Sequence, residues 1–239
     1  GGTTAGINLL AHTLGETLRE GDEILISELE HHSNIVPWQM LAARRGIHLK
    51  WVPVRDDGHL DLSALDRLLG PRTRLVAITH CSNVTGAVTD VGRIVAAARS
   101  VGAQVMLDGA QFVPHGPLDV LALGVDYYAF SGHKAYAPNG IGVLWGRREC
   151  LEALPPFMGG GHMIRRVAKS GSSWAEVPHR FEAGTMPIAQ AVGLGAALRW
   201  AMTLDWTAIA AHEQRPAQRR LDRLGTVPGA RHLGTAGLQ

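Results

Sequence analysis

The sequence predicts an α/β fold, a mostly parallel sheet flanked by helices, with the start of a further domain behind it. Short runs rich in Val, Ile and Leu alternate with longer amphipathic stretches along most of the chain. The strand-like runs are continuously apolar rather than alternating, the pattern of strands buried on both faces. At 239 residues, 46% hydrophobic and 18% charged, the chain is long and apolar enough to bury a sizeable core.

The elements follow in order. AGINLLAHTL (5–14) carries a helical pattern, with Thr3 and Thr4 just before it as N-caps. EILIS (23–27) is a strand, NIVPWQMLAARR (34–45) a helix, LKWVPV (49–54) a strand and LSALDRLL (62–69) a helix. RLVAITH (74–80), QVMLD (104–108), DYYAFS (126–131) and IGVLWG (141–146) are strands, with the helix VGRIVAAARSVG (91–102) after the first of them. Residues 155–185 are rich in Gly, Pro and Ser without a sustained period and read as a long functional loop. Two helices close the chain, 190–204 and 206–224, the second with Pro216 in its interior, where a missing N–H and a ring clash predict a kink. Domain boundaries are expected at 1–205 for the large unit and 206–239 for the start of a C-terminal one. The glycine-rich opening and ARHLGTAGLQ at the end, where another strand pattern begins, read as cuts through a larger fold.

Charge narrows the partners. Lys and Arg number 23 against 21 acidic residues, and the basic pairs are scattered, which argues against nucleic acid. No apolar run is long enough to cross a membrane. Two cysteines make no disulfide framework and no zinc-site spacing, so a reducing cytoplasm is the expected setting.

In open α/β sheets ligands bind outside the carboxyl ends of the strands. The polar clusters at those ends are Glu30-His31-His32-Ser33-Asn34, His80-Cys81-Ser82-Asn83, Asp108-Gly109-Ala110-Gln111 and Ser131-Gly132-His133-Lys134. A lysine at a buried strand end is costly to keep charged, and a neutral amine there attacks carbonyls well. Pyridoxal phosphate is the carbonyl cofactor that also needs a carboxylate against its ring nitrogen, donors for its phosphate and a flat group on its face. Asp108 supplies the carboxylate. Free N–H groups near Thr3 and Thr4 at a helix start, with Ser131 and His133, suit the phosphate. His31 offers an imidazole to the ring face and Gln111 an amide to the ring hydroxyl, while Asn83 serves either that hydroxyl or a substrate carboxylate.

Each residue alone has a plainer reading. Lysines at strand ends are commonly solvated, Asp-Gly is commonly a turn, and His31-His32 lack a third metal ligand at helical spacing. His12, His48, His59, His115 and His232 are expected to be solvent-facing or satisfied locally. Cys81 and Cys150 read as small apolar fillers, Cys81 on the pocket edge of the sheet and Cys150 on the opposite edge.

The segments GTTAGINL, ELEHHSNIVPWQ, THCSNVTGAV, LDGAQ, DYYAFSGHKAYAPNGIGVLW, GGGHMI and HRFEAGT together resemble the group II (SufS-like) cysteine desulfurases, within the class V aminotransferase group of fold-type I pyridoxal-phosphate enzymes. They occur in the family's order and with nearly its spacing. The resemblance implies Lys134 as the Schiff-base lysine, Asp108 as the partner of the pyridine nitrogen and His31 as the stacking imidazole. It implies Thr4, Ser131 and His133 as phosphate ligands with Thr3 close by, Gln111 at the ring oxygen and Asn83 near the substrate carboxylate. Thr185 is implied to serve the phosphate of a partner subunit, hence a homodimer. The implied reaction converts L-cysteine, or selenocysteine in some relatives, to L-alanine for iron–sulfur cluster assembly, handing sulfur to an enzyme cysteine and onward to a sulfur-acceptor protein. In that family the nucleophilic cysteine and a substrate-clamping arginine lie beyond the region matched here. Departures are Cys81 where an apolar residue is usual, Met186 where Pro is common, and Pro216. Another class V enzyme (selenocysteine lyase, kynureninase or aminotransferase type) and a catalytically silent binding module are the rival readings.

Overall fold

The computed structural model describes residues 1–230 together with 233 and 234. The strand pattern read at the extreme carboxyl end, and His232, lie outside the described residues. The elements are α1 (Gly2–Gly15), β1 (Glu23–Ser27), α2 (Val36–Arg45), β2 (His48–Val52), α3 (Leu65–Leu68), β3 (Thr73–Thr79), α4 (Val91–Ser100), β4 (Gln104–Asp108), β5 (Tyr127–Ser131), β6 (Gly142–Gly146), α5 (Arg148–Glu152), β7 (Ile164–Ala168), β8 (Gly171–Trp174), α6 (Ile188–Ala201) and α7 (Trp206–Leu224).

The six-stranded sheet runs β2-β1-β3-β4-β5-β6, parallel throughout except where β6 returns antiparallel to β5. Both faces are covered, as the continuous apolar runs demand. Alternate residues divide between two cores: Ile24, Ile26, Leu75, Ala77 and Met106 pack with Ile7, Leu10 and Trp38 of α1 and α2. Leu25, Val76, Ile78, Val105 and Leu107 pack with Ile94 and Ala98 of α4 on the other face. Helix boundaries follow local chemistry. Asp90 and Asp205 cap α4 and α7 through Arg93 N–H and Ala208 N–H, both at 3.0 Å, and Gly46 ends α2 at φ 66°. β1 is followed in the chain by β2 on one side and in space by β3 on the other, which opens a crevice at the carboxyl end of β1.

Two expectations need correction. Thr3 and Thr4 do not precede α1; the helix starts at Gly2, so both lie in its first turn. The segment 155–185 is not only loop, because β7 and β8 pair as an antiparallel hairpin within it. α7 continues as one helix through Pro216.

Candidate active site

Four loops at the carboxyl edge of the sheet and the start of α1 enclose a cavity of about 250 Å³ lined by Thr3, Thr4, His31, Ser33, Thr79, Cys81, Asn83, Asp108, Ala110, Gln111, Ser131, His133 and Lys134. Nine of the ten residues singled out from the sequence meet here. Thr185 is the exception: it is exposed on the segment before α6 and does not line the cavity.

Asp108 ends β4 and is buried, with its Oδ1 accepting a hydrogen bond from Ala110 N–H at 3.0 Å. Burial pushes its carboxyl above the usual range, opposed by that N–H and by the positive fields of Lys134 and His31. The glycine after it is no turn device. A Cβ at Gly109 would fall 2.1 Å from the Tyr128 ring, which runs beneath it to meet His80 Nδ1 with its hydroxyl at 2.9 Å. His80 stacks on Phe112 at 3.6 Å, and burial lowers its pKa to about 4, so the ring under the Asp108 loop is neutral at ordinary pH. Lys134 sits half-buried in a 3₁₀ turn, Gly132–Lys134, directly after β5.

The start of α1 packs closely on the strand that bears the lysine loop. A Cβ at Gly142 would lie 2.5 Å from Gly2 Cα, so only glycine lets the helix reach this far. Ser131 Oγ accepts from Thr3 N–H and shares a proton with Thr3 Oγ1, both at 2.8 Å. One first-turn N–H of α1 is thereby tied to the loop that carries His133 and Lys134. The remaining first-turn donors, with the hydroxyls of Thr3, Thr4 and Ser131, form an anion-receptive wall.

His31 stands at the opposite wall, capping a 3₁₀ turn with Nδ1 on Ser33 N–H at 3.2 Å. Behind it Glu30 is buried among three donors: the Ser27 hydroxyl, Thr79 N–H at 2.9 Å and Asn34 Nδ2 at 2.6 Å. Asn34 Oδ1 in turn accepts from the indole N–H of the fully buried Trp38 at 2.8 Å. Burial pushes the Glu30 carboxyl up to about 8, against those three donors, with Asp108 adding repulsion. Ser33 and Glu30 were both within the cluster read from the sequence, but only the strand-end position signalled them; their partners come from α1, β1, β3 and their own loop.

The two thiols differ in place and agree in chemistry. Cys81 lines the cavity and points toward Gly86 O at 3.6 Å, with its pKa raised by burial. Cys150 lies at the other edge against Gln104 and Asp126, its thiol pushed up to about 11 by burial and the Asp126 charge. Neither is a thiolate at neutral pH. Among the other histidines, His115 meets Glu213 at 3.0 Å and His12 packs edge-on to Phe157. His59 departs from the expectation: its Nδ1 is buried without a hydrogen-bond partner among the described residues, 3.4 Å from Asp57.

Fold and cavity define an α/β protein with a cavity at the carboxyl edge of a mostly parallel sheet, lined by a lysine and a buried aspartate. The chain belongs to the aminotransferase class-V family, whose sequence profile matches residues 1–238. A cysteine desulfurase of Dickeya dadantii is 51% identical over 235 residues, which is 98% of this chain and 57% of that protein. A probable cysteine desulfurase of Mycolicibacterium paratuberculosis is 50% identical across 98% of this chain and 34% of its own length. The crystal structure of the Escherichia coli cysteine desulfurase CsdA superposes with a TM-score of 0.92 at 42% identity, covering 95% of this chain and 57% of that one. C-DES, a cystine C–S lyase solved with its product cysteine persulfide, superposes at 0.83 with 33% identity, covering 96% and 64%. The chain thus spans just over half the length of several relatives it matches. Among the described residues no helix is long and apolar enough to cross a membrane.

Proposed function

We propose that the full-length protein is a pyridoxal-phosphate-dependent cysteine desulfurase, converting L-cysteine to L-alanine and passing the sulfur to an enzyme cysteine as a persulfide. The observation that carries the reading is the convergence of Lys134 and Asp108 on one cavity whose far wall is the donor-rich start of α1. The residues fit the cofactor. Asp108 is a buried carboxyl whose Oδ1 accepts from Ala110 N–H, and burial raises its pKa, so a cation beside it, which a protonated ring nitrogen is, would favour its ionised form. The relatives named above point to the same chemistry.

When bound, pyridoxal phosphate supplies an electron sink for the pair released as a bond at the substrate's α-carbon breaks. Lys134 Nζ would tether the cofactor and would carry the proton of the substrate's α-carbon. The carboxylate of Asp108 holds the proton on the ring nitrogen. Thr4, Ser131 and His133 would donate to the phosphate, with Thr3 beside them, and His31 would offer its imidazole to the ring. Gln111 reaches the ring oxygen and Asn83 the substrate carboxylate or that same oxygen. Thr185, exposed in one chain, serves the phosphate site of a partner subunit in a homodimer. Residues 1–205 form the cofactor-binding unit and 206–239 begin a second one. The sulfur-accepting cysteine is neither Cys81 nor Cys150, since both thiols are buried and protonated. A carrier protein taking the persulfide onward fits this reading.

The test is product formation by the full-length protein from L-cysteine, in the presence of a thiol reductant. One alanine should appear per sulfide released, and removing the cofactor should abolish both. Turnover of selenocysteine alone, or of L-kynurenine in place of cysteine, would move the protein to another class V activity. A chain that binds the cofactor and turns over none of them would be a silent member of the fold.

A further inference from the structure

The inference concerns Ser33 and builds on the reading of His31 as the ring-facing group of a pyridoxal-phosphate site. Ser33 N–H, which can only donate, lies 3.2 Å from His31 Nδ1, so Nδ1 presents its lone pair and the imidazole proton is on Nε2. Ser33 Oγ is 2.8 Å from the same Nδ1 and must therefore donate to it. With its single proton committed, Ser33 Oγ has only lone pairs for Thr4 Oγ1 at 2.8 Å, and the Thr4 hydroxyl must be the donor there. The direction of the relay is fixed throughout: Thr4 to Ser33 to His31.

We propose that Ser33 is a positioning residue whose hydroxyl, receiving from Thr4 and giving to Nδ1, holds His31 in the Nε2–H form and ties its ring to the anion-receptive start of α1. The backbone of the same loop is held separately, by Asn34 N–H on His31 O at 2.8 Å and by the buried Glu30 network behind it. The ring is held by the Ser33 hydroxyl in addition to the Ser33 N–H, and removing the hydroxyl loosens the ring while the backbone supports stay in place. The relay also couples two ends of the cavity. The Thr4 proton that steadies Ser33 is the one an arriving phosphate asks for, so the imidazole registers occupancy of the anion wall.

The test compares Ser33→Ala and Ser33→Thr in the full-length protein. Ring-nitrogen shifts of His31, read by ¹⁵N NMR on histidine-labelled protein without cofactor, report the tautomer. Fluorescence titration with pyridoxal phosphate reports affinity. The unaltered protein should show the Nε2–H form. Ser33→Ala leaves only the longer backbone N–H contact on Nδ1, so it should weaken, without abolishing, the preference for the Nε2–H form and bind the cofactor about fivefold more weakly, the effect of one net hydrogen bond, with an unchanged melting temperature. Ser33→Thr, which keeps the hydroxyl, should restore both. Thr4→Val provides a second route, since it removes the first donor of the relay and should also weaken that preference. An Nδ1–H form in the unaltered protein, a Ser33→Ala protein equal to it in both readouts, or failure of Ser33→Thr to rescue would overturn the assignment. Absence of cofactor binding by the unaltered protein would sink the reading of the pocket, whereas the nitrogen shifts of the cofactor-free protein decide the relay by themselves.

Discussion

The carboxyl edge of the sheet and the segment from residue 155 to 230 are stabilised in opposite ways. At the sheet edge several buried polar groups are answered from other elements: Glu30 by β1, β3 and the loop before α2, Ser131 by α1, His80 by β5. In the later segment α7 buries none of its residues, both strands of the β7–β8 hairpin are almost wholly exposed, and Ile188, Val192, Trp200 and Met202 stand 51–84% exposed. A preorganised cavity needs its supporting contacts inside the unit that carries it, and the first region has them. Amphipathic pattern makes α6 and α7 helices without saying what covers their apolar residues.

Perturbing the two regions should expose that difference. Trp38→Ala removes a fully buried side chain and the donor to Asn34, and is expected to destabilise the protein by about 3–5 kcal/mol. Trp200→Ala, on an exposed position of α6, is expected to cost under about 1 kcal/mol within the same unit. Chemical denaturation of both variants gives the comparison, and equal losses would mean that the second region is packed as tightly as the first.

A smaller effect is expected for Asp108→Asn, which keeps the hydrogen bond to Ala110 N–H and removes the charge. Cysteine turnover should fall on the order of a hundredfold while the cofactor stays bound, because a neutral amide does not hold a proton on the ring nitrogen. Parental turnover in that variant would reduce Asp108 to a structural role.

The smallest effect concerns Glu30, the acid shared between the cavity wall and the core. Its pKa is raised from 4.5 to about 8 in the folded protein, so between those values the folded state keeps a proton that the unfolded state releases. Its contribution to stability is complete below pH 4.5 and is lost as pH rises through about 8. The limiting slope is about 1.4 kcal/mol per pH unit. Asp108, also raised by burial, adds to the loss with the same sign at the acid end of the window. Glu30→Gln should flatten this decline between pH 5 and 8. It should also lower stability at acid pH, where the parent keeps its proton, since an amide leaves either Thr79 N–H or Asn34 Nδ2 facing another donor. Denaturation midpoints at several pH values check both; an undiminished slope would place the titrating proton elsewhere.

How much of this was legible beforehand divides along the same line. The six sheet strands could be read because strands buried on both faces must be apolar at consecutive positions, and the cavity residues could be read because the fold puts its ligands where those runs stop. The β7–β8 hairpin could not, since strands exposed on both faces carry no apolar signal: Arg165, Arg166 and Lys169 look like any loop. Gly109 reads as a turn until the Tyr128 ring is seen to occupy the place of its Cβ. The roles of Glu30 and Ser33 were hidden for a related reason. Their partners lie 49 residues away at Thr79 and 29 residues away at Thr4, and no local pattern records such a contact.

The central claim is that this cavity holds pyridoxal phosphate through Lys134. Borohydride reduction of the full-length protein loaded with the cofactor, followed by peptide mapping, tests it without depending on turnover. The account predicts one pyridoxyl group per chain, on Lys134. A label on Lys50, which is paired with Glu23 at 2.8 Å, or on the exposed Lys169, or no label at all, would contradict it.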